Sequence, residues 1–217
     1  SYESGGSGGA TVPTSTNDVF IDANSGFGSG GKITLGADRF CKDLICSSGH
    51  TFTISGSNRT LTISGSITLE SGLTYDVTST AFDSTRSETI DCGGTNMDSD
   101  VTLQGTGGSW VLLSDFSSNT INLYEGTFDA DTFNVTVSNG IRTEEGGTKI
   151  LNMGSGNWTC PFSISDTVNL TINAETSTII CNTSETEYDF GGMTYNNIWI
   201  QDVSYIYDSG TFNDFKI

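Results

Sequence analysis

Val101 to Trp110 reads VTLQGTGGSW, and Ile121 to Phe128 reads INLYEGTF. Both open on an apolar-x-Leu triplet, turn on glycine and close on a large aromatic. Ile67 to Tyr75 (ITLESGLTY) and Ile150 to Trp158 (ILNMGSGNW) follow the same plan. Period-two alternation puts apolar side chains on one face of a strand, and glycine then permits a bend. Leu69, Leu103, Leu123 and Leu151 stand 34, 20 and 28 residues apart, irregular but in the range of one solenoid rung. A unit of this kind cannot bury its apolar face alone, so stacked neighbours must complete the core. The residues expected to form that core are Leu69, Leu103, Trp110, Leu123, Phe128, Leu151 and Trp158. Rungs of about 25 residues at roughly 4.8 Å spacing predict a stack on the order of 40 Å long.

Working outward, the same alternation marks Val19 to Ile21, Lys32 to Leu35, Phe40 to Cys46, Thr51 to Ser55 and Thr60 to Ser64. A second echo, apolar-Asn-apolar-Thr-apolar, appears at Phe133 to Val137 and at Val168 to Ile172. Thr, Val, Ile and aromatics suit a pleated, half-buried surface, while Gly, Asn, Asp and Ser supply turns. Strong helix formers are scarce. The predicted fold is all-β, a parallel β-helix (β-solenoid) with irregular rungs; a β-sandwich or jelly roll is the alternative, favoured by the uneven period. Residues 1–16 read as a Gly/Ser-rich linker and 17–217 as a single solenoid-like domain. The strand-like close at Phe212 to Ile217 predicts that the domain continues in a longer protein.

Eight Lys and Arg stand against 26 Asp and Glu, for a formal net charge of -18. Such a polyanion repels nucleic acid and anionic lipid head groups, so neither is an expected partner. No apolar run is long enough for a membrane-spanning helix, so no membrane insertion is expected. The five cysteines contain no CxxC pair, and the single histidine, His50, has no second ligand nearby in sequence, which argues against zinc. Buried free thiols and one or two disulfides both fit the count. Cys41 and Cys46 are five apart, awkward for a pair within one straight strand but possible across a bend.

Thr14 to Leu35 (TSTNDVFIDANSGFGSGGKITL), Gly191 to Ile200 (GGMTYNNIWI) and Gly210 to Ile217 (GTFNDFKI) resemble segments of repetitive surface and tail-fibre-like proteins of environmental bacteriophages and bacteria. The resemblance implies a parallel β-helix and an extracellular place on a virion or cell surface. It brings no catalytic or binding residues with it.

The expected function is therefore a non-enzymatic extracellular structural or adhesion module of a phage tail fibre, virion appendage or bacterial surface protein. A subunit of a self-assembling filament is one alternative, and a polysaccharide-binding or polysaccharide-cleaving β-helix is another. Expected partners are further copies, neighbouring domains of the same fibre, or a cell-surface glycan. No catalytic residue and no organic cofactor is expected. Asp22 and Asn24 space oxygen ligands as a calcium loop does, and Asp129 and Asp131, two apart, would share a strand face and pinch a hard cation. Trp199, with Tyr195, is the candidate sugar platform, because Ile198 and Ile200 would take the opposite face of the strand.

Overall fold

The computed structural model describes residues 11–26, 30–144, 146–164, 166–182, 187–202, 205–208 and 210–217, with only the backbone at 205, 207 and 208. Residues 1–10, most of the expected linker, lie outside them. The described regular elements are all strands, every pairing among them is parallel, and they stack as a β-solenoid of about 9 turns. Among the described residues no helix is long and apolar enough to cross a membrane. Uniformly parallel ladders exclude the sandwich and jelly roll, whose neighbouring strands run antiparallel.

Each turn lays strands on up to three faces. The first ladder runs from Val19–Asp22 through Leu44–Ser47 and Ile67–Thr68, and ends at Lys149–Asn152 and Leu170–Asn173. Successive partners in it are 18 to 25 residues apart, as in Val111↔Asp129 and Val19↔Leu44. The second ladder holds Gly31–Thr34 and the start of Phe52–Ile63 at one end. At the other it holds Asn157–Thr159, Thr178–Cys181, Thr194–Ile200 and Thr211–Lys216. The third carries Arg39–Cys41 and then the Val101 and Ile121 triplets.

The repeated triplets fall on two different faces. Val101 and Leu103 stand directly opposite Ile121 and Leu123 on the third face, one turn apart. Leu69 and Leu151 belong to the first face. Hence 20 residues is a true turn, whereas 34 and 28 join positions on unlike faces, and the 25-residue rung was an overestimate for most turns. The two Asn-Thr echoes divide likewise: Val135 pairs on the second face and Leu170 on the first.

Rings from all three faces meet inside. Trp110, Phe128, Leu151 and Ile172 form one inward column on the first face. Phe82 from the third face lies 6.2 Å from Trp110, while Phe116 and Trp158 from the second pack edge-on against Phe128 at 5.7 and 6.1 Å. Leu69, Leu103, Trp110, Leu123, Phe128, Leu151 and Trp158 are all buried, the last six at 0 % exposure. Each such side chain contributes about 1.5–3 kcal/mol relative to exposure. Thr80 carries the interior's polar thread, with its hydroxyl 2.8 Å from Tyr75 Oη and 2.9 Å from Ser99 Oγ.

The stretch Phe40 to Cys46 is two strands, not one. Arg39–Cys41 lies on the third face and Leu44–Ser47 on the first, with the bend at Lys42 and Asp43. That bend turns both Cys41 and Cys46 inward, at 2 % exposure each.

Candidate functional site

The acidic pairs are turn devices. Asp22 closes the first strand, and its Oδ1 accepts from the Asn24 amide at 2.9 Å and from Ser25 Oγ at 3.2 Å. Asn24 is exposed on that turn. The strand carrying Asp129 ends there, and Asp131 sits beyond it in a turn with φ of 50°. The two carboxylates therefore do not share a strand face, contrary to the spacing argument. Asp129 Oδ1 instead accepts from the Asp131 amide at 2.9 Å, and its Oδ2 accepts from Asn152 Nδ2 at 3.0 Å. Asn152 Oδ1 in turn accepts from Asn173, which extends a hydrogen-bonded ladder over three turns. Among the described residues no three His, Cys, Asp or Glu side chains converge as a metal site.

The proposed sugar platform does not assemble either. Tyr195 is 2 % exposed and donates its hydroxyl to the Phe190 carbonyl at 3.0 Å. Phe162, Phe190 and Phe212 surround it at 5.3 to 5.8 Å. Strand Thr194–Ile200 buries Tyr195 and Ile198, three apart, so its alternation breaks at Asn196 and Asn197. Strict period two had placed Tyr195 otherwise. Trp199 is half-buried, and Lys216 Nζ lies 3.9 Å above its ring centroid, occupying the face a sugar would stack on.

His50 is exposed in a loop that Glu70 holds from the next turn. Glu70 Oε1 accepts from the Ser48 amide and hydroxyl, both at 2.7 Å, and Oε2 accepts from the Gly49 amide at 2.9 Å. Burial pushes this carboxyl up, but those donors outweigh it and hold it below the usual glutamate range. The cluster is a clamp between rungs.

All five cysteines are buried and free. Burial, assisted by nearby Asp43, pushes Cys41 up to about 12, and burial also pushes Cys46, Cys92 and Cys181 to about 12. Thiols held neutral in this way are poor nucleophiles and poor metal ligands.

Sequence reasoning missed Lys149. It starts an inward-facing strand, and its side chain is 0 % exposed. Its ammonium donates to the Glu144 carbonyl at 2.9 Å and lies 3.4 Å from Asp166 Oδ2. Asp166 also accepts from the Val168 amide through Oδ1, and its carbonyl accepts from Thr143 Oγ1. The available signal was that alternation through Leu151 places Lys149 inward as well. It staples a loop across two turns.

A hollow lies among the described residues at the amino-terminal end of the stack. It has a volume of about 450 Å³ and is lined mainly by apolar side chains, including Val19, Ile33, Leu35, Phe40 and Leu61, with Arg39 among them. No protein-family model, no characterised protein and no solved structure matches the chain.

Proposed function

We propose that the chain is a non-enzymatic structural module, a stiff spacer within an extracellular surface, tail-fibre-like or virion-appendage protein. The observation that carries this reading is the unbroken parallel stack, in which side chains from three faces close one continuous interior. Bending or stretching such a stack must break many ladder hydrogen bonds together, so resistance to deformation follows from the architecture. The turn chemistry points the same way: Asp22, Asp129 and Glu70 spend their acceptors on neighbouring backbone and side chains. The large negative charge keeps the repetitive β surface soluble and discourages lateral sticking.

The test is location combined with mechanics. An antiserum raised against the chain is expected to decorate intact virions or cell surfaces, and single-molecule pulling is expected to give rung-by-rung unfolding at high force. A protein confined to the cytosol, or one that extends at low force without steps, would overturn the reading.

A further inference from the structure

Two of the five cysteines stand side by side in one inward column of the second face. Thr159 pairs with Ile180 on the next turn, so the ladder carried one residue further sets Cys160 beside Cys181. Both side chains point inward. Trp158 and Cys160 are buried on either side of half-buried Thr159, as Ile179 and Cys181 are around Ile180. The same count places Val137 beside Cys160 on the preceding turn, and Ile200 pairs with Cys181 on the following one. The Cys181 thiol lies close enough to raise that of Cys160 beyond the effect of burial.

Among the described residues no other two cysteines hold adjacent places in a ladder. Cys46 and Cys92 share a column, but Leu69 lies between them. Two strand spacings, about 9.6 Å, exceed the roughly 7 Å over which two Cα atoms can be bridged. Cys41 and Cys46 belong to strands on different faces. One strand spacing, about 4.8 Å, falls inside the range of Cα separations that disulfides span.

We infer that Cys160 and Cys181 are the site of a disulfide that ties two successive turns when the chain folds in contact with a disulfide oxidant. The chemistry is thiol–disulfide exchange. One cysteine thiolate attacks oxidised glutathione, forming a mixed disulfide and releasing one glutathione thiolate. The second cysteine then displaces the other glutathione, so two cysteine thiols are oxidised and one glutathione disulfide is reduced to two thiols. The structure is the reduced form, and its closed interior keeps the oxidant out, so exchange belongs to the stage before the stack closes or to its rare openings. The inference deepens the spacer reading and rests on it only for the compartment, since an oxidising exterior is where such bonds form and persist. The cysteines are 21 residues apart. A bond between them removes about 70 Å from the length the chain can yield under load.

The test is oxidative refolding of the whole chain in a mixture of reduced and oxidised glutathione, then alkylation of free thiols in denaturant and peptide mapping. Circular dichroism matching the reduced protein establishes that the fold is regained. The map is expected to show Cys160 linked to Cys181, with Cys41, Cys46 and Cys92 alkylated; chain kept in reductant throughout should yield five alkylated thiols. Folded protein held in the same glutathione mixture should reach the same bond more slowly, so the result does not depend on refolding yield. Dithiothreitol should cleave the bond at least about a hundredfold more slowly without urea than in it, because both sulfurs lie inside the stack. Recovery of Cys160 and Cys181 alkylated from both preparations overturns the inference, as does either of them linked to a different cysteine. Cleavage at equal rates with and without urea overturns the interior placement of the bond. None of these results bears on where the protein resides, which keeps its own test.

Discussion

The indole N–H of Trp158 donates to the carbonyl oxygen of Met153 at 2.9 Å, inside the turn that joins their two faces. Trp110 occupies an equally buried place, yet its indole nitrogen has no hydrogen-bond partner among the described residues. The two tryptophans close similar sequence units and have opposite polar accounts.

Their phenylalanine variants are therefore expected to differ. Trp158→Phe removes ring volume and strands a buried carbonyl. Trp110→Phe removes comparable volume but also removes an unsatisfied donor, whose burial costs about 1–3 kcal/mol. Urea unfolding should show Trp158→Phe to be the more destabilising by at least about 1 kcal/mol. Equal losses would mean that the Met153 bond has no energetic weight.

Lys149 and Asp166 give a second asymmetric pair. Asp166→Ala leaves a fully buried ammonium with the Glu144 carbonyl as its remaining partner, which should cost about 3 kcal/mol. Lys149→Met keeps the aliphatic volume and leaves a carboxylate 20 % exposed, able to draw on water. Its cost should be under about 1 kcal/mol. Chemical denaturation of both variants decides the order; the reverse order would show that the lysine stem, not the ion pair, sets the local stability.

The thiols predict a pH dependence with a definite sign. Their folded pKa values lie above the usual 9.0, at about 12 for Cys41, Cys46 and Cys92. The stability linked to them is fully present below pH 9 and is lost as pH rises toward 12, because the unfolded thiols ionise first. Thermal melts should fall across that window, less steeply in Cys92→Ala. In native protein at neutral pH a maleimide should label none of the five thiols, and in denaturant all five. Labelling of the native protein would contradict the closed interior.

Gly154 is a backbone constraint. Its φ is +64°, and a Cβ built there would lie 1.6 Å from the Asp131 carbonyl oxygen of the preceding turn. Gly154→Ala should cost at least about 2 kcal/mol in a thermal or urea melt. A neutral outcome would mean that the Asp131 turn is not packed under that bend.

Much of this architecture is written in local spacing. Apolar-x-Leu and the glycine that follows disclose strands and corners, and the Val101 and Ile121 triplets do stack in register. Period two states which residues share one side of a strand, but not which of three faces the strand joins, so Leu69 and Leu151 were grouped with Leu103 and Leu123. The same rule misplaced Tyr195, since the Asn196-Asn197 irregularity shifts the inward phase by one residue. Asp129 and Asp131 failed for a related reason: the strand ends between them. Lys149 was passed over because lysine is rarely buried unless a partner is supplied, and Asp166 comes from 17 residues further along.

The solenoid and the spacer role both require turns stacked one strand spacing apart, and a distance between distant rungs tests that most directly. Thr89, Val111, Asp129, Asn152 and Asn173 occupy successive positions of one ladder. Four strand spacings place the backbones of Thr89 and Asn173 about 19 Å apart. Spin labels at those two positions should give a single narrow distance distribution consistent with that separation after allowance for the label arms. A broad distribution, or one centred well beyond the reach of the arms, would contradict the stacked solenoid and the spacer role built on it.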